Sequence, residues 1–199
     1  MGYAKFGRAL DGGGRTLIRV SFDVLPAGQT AQQLVARLAD VHRRVAAYGR
    51  LLALGAVARP AIRAGLAHPH AVVREQCCKL LDHLMDADTV ADLIAMLGDP
   101  EPRVRIAAAH ALACERCKQN SCRPDADDVL PPALRLLAND PDPHVRAMAI
   151  EVIGQWVHQD ARSRLALTSV RDHDTDPAVR KKAAWYLPGG AVYRRMAPR

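Results

Sequence analysis

Four residues stand at spacings that suit a metal ion: His110-x3-Cys114-x2-Cys117-x4-Cys122. On a helix, offsets of 0, 4 and 7 put His110, Cys114 and Cys117 on one face, and Cys122 falls on a loop able to fold back. One imidazole and three thiolates complete a tetrahedral zinc set with no position left for water, which would be structural rather than catalytic. The alternatives are a Cys117–Cys122 disulfide or plain reduced thiols, because a single C-x2-C is weak where two would be strong. An iron–sulfur cluster usually takes four thiolates, and only three lie near one another.

The elements that must carry these residues follow from internal repetition. One phrase returns four times: His68-Pro69-His70-Ala71-Val72-Val73-Arg74, Asp99-Pro100-Glu101-Pro102-Arg103-Val104-Arg105, Asp140-Pro141-Asp142-Pro143-His144-Val145-Arg146 and Asp174-Thr175-Asp176-Pro177-Ala178-Val179-Arg180. The four arginines are 31, 41 and 34 residues apart, a period that belongs to stacked helical hairpins. From the valine before each arginine the apolar residues keep the offsets of one helix face: Val73, Cys77, Leu80 and Leu81 in the first copy, and Val145, Ala149, Val152 and Ile153 in the third. A second apolar helix follows in each complete unit, at Val90 to Leu97, Val129 to Leu137 and about Ala161 to Val170. Asp and Pro between units supply the helix cap and the break.

The 41-residue spacing exceeds the 31-residue one by ten, and the excess falls at about 117–126, in the turn that carries the cysteines. A metal would offset the entropy of ordering such an excursion. Cys77 takes the small core position held by Ala108 and Ala149 in later copies, and Cys78 aligns with Ala109 and Ile150, so both read as packing residues. His83 aligns with Cys114 one repeat earlier. Helices stack about 8–10 Å apart, which makes it a neighbour of the cluster rather than a ligand.

These residues resemble the HEAT-repeat proteins, in the short bacterial form also seen in phycobilisome lyases, over about residues 60–188. The resemblance implies an all-α fold: a right-handed α-solenoid of stacked helical hairpins, with a short extended or irregular N-terminal arm. It also implies an inter-repeat ladder of the turn residues Asp99, Asp140 and Asp174 with the helix residues Arg105, Arg146 and Arg180. His68 replaces the aspartate in the first copy. The expected organisation is an arm over 1–30 and repeats over 31–188: a degenerate cap at 31–67, units at 68–98, 99–139 with the insert, and 140–173, and a partial unit at 174–188. A basic tail occupies 189–199. In the cap, 31–54 is helical by pattern through Leu34, Leu38, Val41 and Val45, and Pro60 aligns with Pro131 at a first-turn position. Thr16 to Leu25 alternates as a strand whose partner the pattern does not identify.

Related enzymes can be tested on residues. The iron-dependent hydroxylases of similar fold carry His-Glu pairs, and no His-Glu dipeptide occurs here. A HEAT-like DNA glycosylase would draw on Trp156, Asp160 and Trp185, two of which extend a first helix. A phycobilisome lyase would need a bilin and a phycobiliprotein that nothing here specifies. Gly12, Gly13 and Gly14 lack the Lys-Ser/Thr of a phosphate loop.

The chain has 199 residues, 28 Lys+Arg against 21 Asp+Glu and a net charge of +7. The charge is uneven: residues 1–50 carry +5, 51–175 carry −3 and 176–199 carry +5. A phosphate-tracking groove along the repeats is therefore not expected. No run of 18 apolar residues and no signal-like N-terminus is present, so the expectation is a cytoplasmic chain with no membrane partner. The expected function is a non-catalytic protein–protein interaction scaffold, with the polar residues Asp88, Asp92, Arg135, Arg162 and Arg164 of the second helices as contacts. The alternative is a nucleic-acid-binding module using the basic termini.

Overall fold

The computed structural model describes residues 3–10, 16–23, 28–114 and 124–198. It divides into two compact units, 1–80 and 81–199.

The first unit opens with strands β1 (Tyr3–Leu10) and β2 (Thr16–Asp23). They pair antiparallel from Tyr3 opposite Asp23 to Leu10 opposite Thr16. The strand foreseen at Thr16 thus finds its partner in the residues just before Gly12, Gly13 and Gly14, so the arm carries a two-stranded antiparallel pair, and the other described elements are helical.

Helices α1 (Ala31–Arg37), α2 (Arg44–Leu54) and α3 (Arg59–Gly65) follow, the last two joined by a 3-10 turn over Gly55–Ala58. A capping box starts α1: the Gln33 amide donates to Thr30 Oγ1 at 3.2 Å while the Thr30 amide donates to Gln33 Oε1 at 2.9 Å. The single helix expected over 31–54 is instead two. Asp40 accepts the His42 amide at 2.9 Å, and Arg44 Nε donates to the Leu38 carbonyl at 2.7 Å, so side chains take up backbone groups that a continuing helix would use. The intervening turn changes the face. Leu34 and Leu38 are buried as expected, whereas Val41 is 66% exposed and Val45 55% exposed, and Ala46, Ala47 and Leu51 take the core positions. By length and composition Arg44–Gly65 is apolar enough to cross a membrane, with a mean hydropathy of 1.2. Gly55, at φ +60°, interrupts it as a regular helix.

Helix α4 (Ala71–His83) contains the boundary between the units. The second unit continues with α5 (Ala87–Met96), α6 (Pro102–Ala113), α7 (Ala126–Asn139), α8 (Pro143–Gly154), α9 (Ala161–His173), α10 (Pro177–Trp185) and α11 (Ala191–Arg195). This is the helix-turn-helix succession of an α-solenoid. Its core follows the repeat offsets: Val104, Ala108, Leu112, Val145, Ala149, Ile153 and Ala183 are fully buried. Burying each Val, Leu or Ile contributes roughly 1.5–3 kcal/mol. Pro131 does not sit in a first turn. Asp125 accepts the Asp127 amide at 2.9 Å and starts α7 earlier, which leaves Pro131 and Pro132 inside the helix. Trp156 lies just past the end of α8, half-buried, and Trp185 is 44% exposed with Lys181 Nζ 6.0 Å from its ring centre.

Candidate functional site

The repeat turns build one class of polar contact. In each turn the first aspartate accepts the amide two residues on: Glu101 to Asp99, Asp142 to Asp140 and Asp176 to Asp174, at 2.8–3.0 Å. Arg105 reaches across to the next turn, with Nε donating to Asp140 Oδ2 at 2.7 Å and Nη2 to Oδ1 at 2.9 Å. Arg146 repeats this on Asp174 at 2.8 Å for both bonds. The remaining nitrogen of each guanidinium returns to the carbonyls of its own turn, Asp99 and Pro100 or Asp140 and Pro141. Arg180 makes the same return to Asp174 and Thr175, and Arg74 makes it to His68 and Pro69 despite the missing aspartate. The Arg146 guanidinium holds the Asp174 carboxyl below the ordinary carboxylate value, against the opposite pull of burial.

The other polar concentration is a cavity of about 610 Å³ in the second unit. It is lined by the C-terminal turns of the first helices of successive repeats and by Val192 and Arg195 of α11. His110 and Glu151 stand at the same repeat position, five residues after their ladder arginines, and Cys114 and Gln155 stand nine after. The last hydrogen bond of α6, from the Cys114 amide to the His110 carbonyl at 2.8 Å, brings Cys114 over His110. From the end of α4, buried Asp82 approaches with Oδ2 3.9 Å from His110 Nε2. One donor atom each of Asp82, His110 and Cys114 lies within 4.8 Å of the other two.

Around this trio, Gln155 is buried and donates Nε2 to the Leu112 carbonyl at 3.2 Å, while its Oε1 has no hydrogen-bond partner. Glu151 is paired with Lys182 at 2.5 Å. Tyr186 is pushed up to about 12, first by burial and then by the Glu151 charge, with Arg195 acting the other way.

Of the four ligands expected from sequence, the structure brings His110 and Cys114 together, and Cys117 and Cys122 lie outside the described residues. Asp82 has no place in a pattern of cysteine and histidine spacings. It stands one place before His83, the residue that aligns with Cys114, and a carboxylate is an equally valid zinc donor. The second-helix residues do not share this cavity. Asp88 is exposed and Asp92 half-buried on α5, and exposed Arg135 lines a separate cavity of about 580 Å³ beside Asp140. Arg162 is held by Asp160 at 2.7 Å and Asp127 at 2.9 Å, and Arg164 donates to the Val157 carbonyl at 3.1 Å.

Residues 59–135 and 130–192 match a family model of HEAT repeats. Among solved structures, the complex of CpcE and CpcF of phycocyanin lyase from Nostoc sp. PCC7120 contains a similar chain. That likeness has a TM-score of 0.63 and 21% sequence identity, and it covers 78% of this chain and 96% of that one. No protein of curated function matches the chain.

Proposed function

This chain belongs to the HEAT-repeat family, and we propose that it acts as a non-catalytic scaffold that binds another protein. The observation that carries this reading is apolar exposure on the first unit. Val41, Val45, Leu54 and Val57 are 66%, 55%, 40% and 80% exposed within seventeen residues of chain. The terminal repeat of a solenoid ordinarily needs a polar outer face, and large apolar groups left exposed along this stretch of chain support an interaction surface there. The similar chain of known structure comes from a complex of two subunits, which agrees with a protein partner here. The −3 charge of residues 51–175 argues against nucleic acid as the main ligand.

Capture from native lysate with the wild-type chain and with Val45→Asp/Val57→Asp, followed by mass spectrometry, tests the reading. The expected result is a protein retained at high salt by the wild type and lost by the variant, with helix content unchanged. Equal capture by both, or capture only of nucleic acid that salt abolishes, would sink it.

A further inference from the structure

We propose that Asp82, His110 and Cys114 form a Zn²⁺ site with three protein donors and a fourth position that opens into the 610 Å³ cavity. The site goes beyond the scaffold reading and does not depend on it. It also departs from a closed set of one histidine and three cysteines by drawing on the Asp82 carboxylate; Cys117 and Cys122 lie outside the described residues.

The donor types fit the ion. Thiolate and imidazole suit zinc, and a carboxylate completes sets of this kind. The Cys114 thiolate and the Asp82 carboxylate carry two negative charges, which one dication neutralises. Zinc bonds of about 2.0–2.3 Å place tetrahedral donors about 3.4 Å apart. The observed separations, 3.9 Å for His110 to Asp82 and up to 4.8 Å within the trio, close by small side-chain rotations. The His110 side chain is 57% exposed and has room to make them.

A second observation points to a ligand in the same cavity. Gln155 lines the cavity, is nine-tenths buried, and keeps Oε1 without a hydrogen-bond partner while Nε2 is fixed on the Leu112 carbonyl. A buried amide oxygen in that state is costly unless something donates to it. Water on the fourth position of a bound metal would be such a donor within this cavity. Three protein ligands plus an exchangeable water is the arrangement of an open zinc site rather than a closed structural one. Zinc here also ties the end of α4 to the end of α6, so binding stabilises the stack. The Cys114 thiol loses its proton to the solvent on binding.

The experiment uses the full chain, reduced and metal-stripped, titrated with Zn²⁺ against a chromophoric chelator and separately with Co²⁺. Wild type and Cys117→Ser/Cys122→Ser are expected to bind one zinc with equal affinity. Asp82→Asn and Cys114→Ser should bind at least tenfold more weakly, with helix content checked by circular dichroism. The Co²⁺ complex should show the charge-transfer intensity of a single thiolate, a result that does not depend on whether either ligand variant folds. Absence of zinc binding, loss of binding in the Cys117→Ser/Cys122→Ser variant, or a spectrum of three thiolates would overturn the proposal.

Discussion

Arg105 and Asp140, 35 residues apart in the chain, meet in a two-point ion pair in which the side chains are 10% and 4% exposed. The same guanidinium also donates to the Asp99 and Pro100 carbonyls. One side chain therefore closes its own repeat turn and grips the turn of the next repeat. Bidentate geometry of this kind matches a planar guanidinium and not an ammonium.

Replacing Arg105 by Met keeps most of the packing of the stem but leaves the Asp140 carboxylate with the Asp142 amide and no cation, and takes the Arg105 donor from two carbonyls. A loss of about 3–5 kcal/mol is expected, because a buried charge stripped of its partner keeps its desolvation cost. Urea unfolding would measure it. Arg105→Met/Asp140→Leu should recover part of that loss, and a double variant no more stable than the single one would contradict this account.

The second rung predicts a response to acid. The Asp174 carboxyl is held below its ordinary 3.8 by hydrogen bonds from Arg146. A depressed folded value means that the pair stabilises the fold above 3.8 and that this stabilisation is lost as pH falls through the lower folded value. Asp174→Asn should be less stable near neutrality and should lose less on acidification, as followed by denaturant midpoints at stepped pH. Parallel curves for the two proteins would refute the assignment.

Gly154 is required by close approach. A Cβ there would run into the Tyr186 ring, so Gly154→Ala should destabilise by about 1–3 kcal/mol through overpacking. Gly98 is the control. Its added Cβ meets only the Ala95 carbonyl oxygen, at an ordinary 3.5 Å, and Gly98→Ala should change thermal stability by less than about 0.5 kcal/mol.

Cys77 should be chemically silent in the folded chain. It is fully buried, and burial pushes its thiol up to about 12, which removes both access and thiolate at pH 8. A thiol reagent at that pH should modify Cys77 only after unfolding in urea, as read by peptide mass spectrometry. Modification of Cys77 at the same rate with and without urea would be incompatible with the core packing described.

The candidate site was half legible in the sequence. His110 and Cys114 stand out because i and i+4 share a helix face whatever the helix packs against. Asp82 and Gln155 did not, because their nearness to that face depends on how one repeat is rotated on the next. The cap shows the same limit. Leu34 and Leu38 were legible as core, but the side-chain capping at Asp40 and Arg44 broke the helix and turned Val41 and Val45 outward.

The sequence by itself determined the repeat, its first helices and the residues of their core face, since a 3.6-residue period and Asp-Pro punctuation act locally and recur. Only the tertiary structure decided that β1 pairs with β2, that each arginine of the expected ladder reaches forward to the aspartate of the next turn, and that a carboxylate from α4 joins the His110–Cys114 pair. Those relationships join residues far apart in the chain, and helix stacking and strand register set them rather than any pattern within a single element.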